Sequence, residues 1–222
     1  MRRMADVKSA YYPYERLQDY TTIPRIETLL KKITDYLLDL PSAGYTPPDD
    51  NEYPRCRLNK MLFYDGESPL ENPLPTPQEK MALVFDPSSP DVPPTEKGYR
   101  VYPMIYPTQA QPNGQTTLKI FMSWAKATTS YRIDQAITFE ILTNTAYEGN
   151  TQHNALSRTY AMACDIIRAL NGVNMDGVGT FYFDRRQHSD CEIEPIADKA
   201  QNVGYRVTMG VCFMGGEGIP TR

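Results

Sequence analysis

Fifteen of the chain's 19 prolines lie between residues 41 and 112. Proline lacks a backbone N–H and clashes with the turn before it, so this distribution forbids a long regular helix there. The stretch reads as an insertion or a system of binding loops. Within it only "RCRLNKMLFYDG" (55–66) and "GYRVYPMIYP" (98–107) have the look of short strands. It is too apolar and aromatic for a simple linker, with Leu62, Phe63, Tyr64, Val84, Phe85, Tyr99, Tyr102 and Tyr106.

The flanks are regular. "TTIPRIETLLKKITDYLLDLP" predicts a helix, with Thr22 as cap, Pro24 in the first turn and Pro41 as the stop. Ile26, Leu29, Leu30, Ile33, Leu37 and Leu40 make its apolar stripe, and Leu38 lies off it. Glu27 and Lys31 are spaced for an i,i+4 pair. "TTLKIFMSWAK" predicts a strand with Leu118, Ile120, Met122 and Trp124 on one face. "DQAITFEILT" sets Ile137, Phe139 and Ile141 against Thr138 and Glu140.

"NALSRTYAMACDIIRALNG" predicts a second helix whose stripe runs Leu156, Tyr160, Ala163, Ile167 and Leu170, with Ile167 central. Met162, Ile166 and Ala169 widen that stripe. Arg158, Asp165 and Arg168 fall on its polar arc, and Gly172 is placed for a left-handed cap. "VGTFYFD", a long polar loop (185–202) and "GYRVTMGVCFM" follow, the last with Tyr205, Val207, Met209, Val211 and Phe213 alternating inward.

These elements predict an α+β domain over 22–214: an antiparallel β-sheet with two α-helices packed on one face, interrupted by the proline-rich insertion 41–112. Residues 1–21 and 215–222 are extended terminal arms. The first carries Tyr11, Tyr12, Tyr14 and Tyr20 and reads either as a free tail or as an arm that orders against a neighbour. The outward sheet face includes Phe121, Tyr182 and Met214, and several aromatics on one face suggest a covered surface.

The net charge of −4 argues against a dedicated nucleic-acid binder. Cys56, Cys164, Cys191 and Cys212 show no C-x-x-C spacing and read as free thiols. The N-terminus has basic residues but no apolar core of a secretory signal, and no apolar run spans a membrane, so a soluble protein made in the cytoplasm is expected. "DRRQHSDCEIE" is the one stretch resembling a site. Asp184, His188, Asp190, Glu192 and Glu194 are metal-ligand types, and a metal-dependent nuclease is the enzyme reading they allow. They alternate with Arg185, Arg186 and Ser189 in a loop, which fits a solvated partner-contact segment better. His153 reads as a surface residue, no serine sits in a nucleophile elbow, and the glycines of "LNGVNMDGVG" follow a helix instead of opening one. No catalysis and no cofactor are expected.

The order of "RIETLLKKITDYLLDL", "AITFEILT", "ALSRTYAMACDIIRALNG", "VGTFYFDRR" and "GYRVTMGVCFM" resembles the tail-terminator and tail-completion proteins of long-tailed bacteriophages. The resemblance covers residues 25–40 and 134–214, and segment 41–112 exceeds the family pattern. It implies a virion structural protein forming a ring, of six subunits, that ends the tail tube and joins it to the head connector. Its partners would be copies of itself, the tube protein and connector or adaptor proteins, with viral DNA passing through and no membrane. A head–tail adaptor or stopper is the neighbouring reading. The contact residues implied are Tyr11, Tyr12, Tyr14, Tyr20, Phe121, Tyr182, Arg185 and Arg186.

Overall fold

The computed structural model describes residues 26–41, 49–65, 68–85, 98–104, 115–129, 132–149, 157–175, 178–186, 190–197 and 201–214. Its class is mixed α/β. In chain order come α1 (Ile26–Leu37), α2 (Pro54–Phe63), a 3-10 turn (Pro69–Glu71), α3 (Pro77–Ala82), β1 (Val101–Tyr102), β2 (Thr117–Thr129) and β3 (Arg132–Asn144). Then follow α4 (Thr145–Glu148), α5 (Arg158–Leu170), β4 (Asn174–Met175), β5 (Gly179–Tyr182), β6 (Glu192–Ala197) and β7 (Asn202–Met214).

Among the described residues the strands form one sheet in the order β1-β2-β3-β7-β5-β4, with β6 also on β7. All pairings are antiparallel except β1 with β2, so the sheet is not wholly antiparallel as expected. The alternation in β3 holds: Ile137, Phe139 and Ile141 are fully buried, opposite Met209, Val207 and Tyr205 of β7. Leu118 and Ile120 of β2 lie opposite Ile141 and Phe139 and share the same core. Burying each such side chain contributes roughly 1.5–3 kcal/mol, and this inner face is the main store of stability.

β2 departs from expectation after Met122. The register with β3 slips between Met122 and Trp124, so Met122 faces Ile137 but Trp124 faces Ala136. A one-residue bulge reverses the alternation and carries Trp124 to the outer face, away from Leu118 and Ile120. The 185–202 segment also differs, because β6 occupies its middle and pairs along β7 from Glu192↔Thr208 to Ala197↔Val203.

Residues 55–65 hold no strand. Residues 55–63 lie in α2, whose first residue is Pro54, and α3 likewise starts at Pro77. Proline at the first helical position gives up an N–H that has no partner anyway. Thr76 and Glu79 complete the start of α3 as a reciprocal capping box. α2 hides its helical character because it is buried on nearly all sides, polar Arg55, Asn59 and Lys60 included.

α1 buries Leu29, Leu30, Ile33, Leu37 and Leu40 as predicted, and Leu38 as well. The predicted cap residues Thr22 and Pro24 and the Glu27 side chain lie outside the described residues, and Lys31 pairs with Asp35 at 2.5 Å. The helix ends in a Schellman turn: Leu40 N donates to Asp35 O, Asp39 N donates to Tyr36 O, and Asp39 takes φ +52°. α5 starts on Ser157, whose Oγ accepts from Tyr160 N, while the Glu148 carboxylate accepts from Thr159 N and Oγ1. It closes at Gly172 with φ +82°, the left-handed cap the sequence predicts.

The phase of α5 is rotated from expectation. Ile167 is only partly buried, whereas Met162, Ala163, Ile166 and Leu170 are fully buried, and so are Arg158, Thr159 and Asp165. α5 touches β3 and β7 on one side and α2 on another, so two separate arcs of the helix are covered. The second arc is polar. Arg158 Nη2 donates to Met61 O and Tyr64 O, and Arg57 of α2 makes a two-point pair with Asp165. Arg100 adds Nη1 to Leu62 O at 2.9 Å and a two-point pair to Asp65. In the first turn of α2, Arg55 Nη1 donates to Tyr36 O at the end of α1, with its guanidinium over the rings of Tyr36 and Tyr53. Arginines thus satisfy the carbonyls left open at the ends of α1 and α2 and fasten the insertion to the rest of the chain.

Candidate functional site

The outer sheet face presents three rows of side chains across the strands. The first runs Lys119, Glu140, Arg206 and Glu194 over β2, β3, β7 and β6, alternating in sign. Arg206 donates to Glu140 Oε1 from Nη2 at 2.5 Å and from Nε at 3.0 Å, and to Glu194 Oε1 from Nη1 at 2.6 Å. Lys119 Nζ lies 3.7 Å from Glu140 Oε2. The hydrogen bond to Glu140, then that to Glu194, holds the Arg206 guanidinium above its ordinary value against partial burial. The ladder is buried at Lys119 and open to solvent at Glu194, so its inner pairs carry most of its energy.

The second row is Phe121, Thr138, Thr208 and Glu192. Ser123 Oγ bonds Thr138 Oγ1, which lies 3.2 Å from Thr208 Oγ1, so the hydroxyls satisfy one another. The third row is Trp124, Ala136, Gly210 and Tyr182. Two small residues form its floor between two half-buried aromatics. Trp124 Nε1 donates to Asp190 Oδ2 at 2.5 Å, joining β2 to the connection between β5 and β6 across the intervening strands.

Phe121 and Tyr182 therefore share the outer face, in adjacent rows and on different strands. Arg185 and Arg186 are exposed at a turn beyond β5. Arg185 Nε donates to Cys191 O and its Nη2 lies 3.6 Å from Glu192, while Arg186 N donates to Asp184 Oδ1. Tyr11, Tyr12, Tyr14 and Tyr20 lie outside the described residues, as do His153, His188 and the side chain of Met214.

The carboxylates of the 184–194 stretch go to different partners: Asp184 to a main-chain N–H, Asp190 to Trp124, Glu192 to Arg185 and Glu194 to Arg206. Among the described residues no three His, Cys, Asp or Glu side chains gather to hold a metal. All four cysteines are free thiols, as the spacing predicts, with Cys191 Sγ directed to Tyr182 O. No helix among the described residues is long and apolar enough to cross a membrane.

A model of the YomW family matches residues 56–210. The chain belongs to the YomW family. The family's matched segment opens inside α2 and closes in β7, so it takes in α3, β1 and all three outer rows as far as Gly210. Arg57, Arg100 and Arg158 lie within the matched segment, and Arg55 lies just before it. No curated protein matches the chain.

The sequence puts Trp124 on the inner strand face and Asp190 among metal-ligand types, so their contact on the outer face was not foreseen, and neither was the ladder. Glu140 was legible as outward-facing, and Lys119 and Arg206 stand at outward phase in their own strands. The cross-strand register that aligns them was not legible.

Proposed function

We propose that the chain is a structural subunit of a bacteriophage neck, without catalysis of its own. Copies would form a ring, of six subunits, that ends the tail tube and meets the head connector, with viral DNA passing through. In this reading α1, α2 and α5 make a layer over the inner face of the sheet and leave the outer face for contacts. The observation that carries it is the outer face itself. Phe121, Trp124 and Tyr182 stand half-buried around the Ala136–Gly210 floor, above hydroxyls and ion pairs already satisfied. Aromatics over a small-residue floor, rimmed by charge, are how protein contacts are built. A net charge of −4 also suits a passage through which DNA slides without sticking.

The test is to purify the phage particle that carries this chain and image its neck. The expected result is a closed ring of this chain between tube and connector. Absence of the chain from purified particles, or metal-dependent DNA cleavage lost on Asp190→Ala with Glu194→Ala, would overturn the reading.

A further inference from the structure

The outer arc of α5 is apolar. Its Ala163, Ile166 and Leu170 are buried in the core on the sheet, and its Arg158 and Asp165 are buried against α2. What is left to solvent is Tyr160, Ala161, Cys164 and Ile167, all half-buried, with exposed Arg168 at the end. Spaced i, i+1, i+4, i+7 and i+8, these residues share one arc of the helix. A surface helix normally turns charged and polar side chains to water, and one that is apolar on its outer arc as well is a helix that something covers.

This strip borders a groove. Tyr160 meets Tyr205 of β7 edge to face, with ring centroids 5.2 Å apart. Tyr205 and Val207 belong to the inner sheet face, so Pro195 and Ile193 of β6, directly opposite them, are on that face too. α5 packs on β3 and β7, and β6 lies one strand farther out. Exposure follows that step: Val207 is fully buried, Ile193 is half-buried and Pro195 is exposed. Tyr160, Cys164 and Ile167 form one wall, Ile193 and Pro195 the other, and Tyr205 the floor. None of the six is charged.

A segment of matching chemistry is on the same sequence. Residues 1–25 precede α1, and within them the run 9–14, "SAYYPY", is uncharged and carries Tyr11, Tyr12 and Tyr14. The other terminal segment, 215–222, has no aromatic residue. Tyrosine brings large contact area at low entropic cost and pairs ring to ring. Residues 15–25 join the run to α1, a tether of up to roughly 40 Å. α1 packs with α2, which covers the arc of α5 turned away from the groove. The chain's own arm therefore has the helix layer to cross, whereas a neighbour on the open side of the groove does not.

We propose that the groove between α5 and β6 holds the tyrosine-bearing run 9–14 from the N-terminal arm of a second copy of this chain. An arm passed from each copy to the next is a heterologous contact, which repeats around a ring until the rotation closes. The proposal rests on the ring reading and names a link that the ring would use.

Cys164 supplies the test, because it is half-buried in the groove while Cys56, Cys191 and Cys212 are buried. Maleimide labelling of Cys164 in the full chain should slow about tenfold or more between dilute and concentrated protein. The concentrated triple variant Tyr11→Ser, Tyr12→Ser and Tyr14→Ser should label as fast as dilute wild type, and it leaves every groove residue intact. Ile167→Lys, which sets a charge on the groove wall, should weaken self-association in sedimentation by a similar factor. In Tyr12→Cys a short bismaleimide should join the new thiol to Cys164 between chains, giving covalent dimers and larger species. Cross-links confined to single chains, labelling that does not depend on concentration, or labelling unchanged by the arm substitutions would each overturn the contact. A closed ring imaged in particles carrying the triple variant would leave the ring reading standing and this contact refuted.

Discussion

Arg158, the first residue of α5, donates from Nη2 to the main-chain oxygens of Met61 and Tyr64 at the end of α2. It is fully buried, and its Nε and Nη1 have no hydrogen-bond partner. Burial pushes its pKa down to about 10, against the pull of Asp65. A cation in this setting is tolerated only because it closes a helix end that would otherwise leave buried carbonyls open. Arg158→Ala should therefore cost about 2–4 kcal/mol, whereas exposed Arg168→Ala should cost under about 0.5 kcal/mol. Arg158→Met, which keeps the volume, separates the lost hydrogen bonds from the cavity. Chemical denaturation of the three variants reads the order directly.

The rotated phase of α5 gives a second expectation. Ile166 is fully buried and Ile167 only partly so. Ile166→Ala should cost about 2–5 kcal/mol, and Ile167→Ala clearly less. Thermal melts of the pair check this, and equal shifts would place the helix axis wrongly.

Gly204 of β7 lies close against the backbone of β3. A Cβ there would meet Ile141 O at 1.8 Å, so Gly204→Ala cannot be built without parting β7 from β3. A Cβ at Gly149 would meet nothing within 4 Å. Gly204→Ala should lose soluble folded protein on expression, and Gly149→Ala should express normally.

Asp39 predicts a pH dependence. Burial raises its carboxyl from 3.8 to about 6, although Arg55 and Lys80 pull the other way. Arg55 Nη1 lies 2.8 Å from Oδ1 but off the hydrogen-bonding angle, leaving both oxygens without a hydrogen bond. The folded state holds this proton more tightly than the unfolded one. Its contribution is fully present below about pH 4 and is lost as pH rises through about 6, at most roughly 3 kcal/mol. Buried Asp165 is raised too, by desolvation against the pull of Arg57 and Arg168, and adds a slope of the same sign. Asp39→Asn, which suits φ +52°, should flatten the fall in stability between pH 4 and 6 without abolishing it. Denaturant midpoints across that window measure it, and an unchanged slope would refute the assignment.

The strands and the two amphipathic helices were legible because period-2 and period-3.6 burial leave a pattern in the residues themselves. α2 was not, because burial on all sides erases the apolar stripe and Arg55, Asn59 and Lys60 read as surface. The same cause misplaced Arg158 and Asp165, which look solvated until α2 is seen to cover them. Trp124 was misassigned by a bulge, a backbone event that composition does not record. The candidate face was half legible: Phe121 and Tyr182 sit where alternation puts them. Their neighbours on that face depend on a register set by pairing between distant segments.

Trp124 is the chain's single tryptophan, and the bulge puts it on the face proposed for contacts. Excited at the red edge of its absorption, where the 16 tyrosines absorb little, its fluorescence is therefore a reporter of that face. In the isolated chain Trp124 is half-buried, and its indole N–H is held by Asp190. Asp190→Ala removes that acceptor and should shift the emission while leaving the denaturation midpoint within about 1 kcal/mol of wild type, because the bond lies at a partly open site. Assembly should do something different. A partner covering Phe121, Trp124 and Tyr182 excludes water from the indole, moving emission to shorter wavelength and protecting it from a soluble quencher. Phe121→Ser with Tyr182→Ser should reduce both changes, since those side chains supply the apolar area around the Ala136–Gly210 floor. Emission and quenching that stay the same on assembly would show that the outer face remains open to water and that the contacts lie elsewhere.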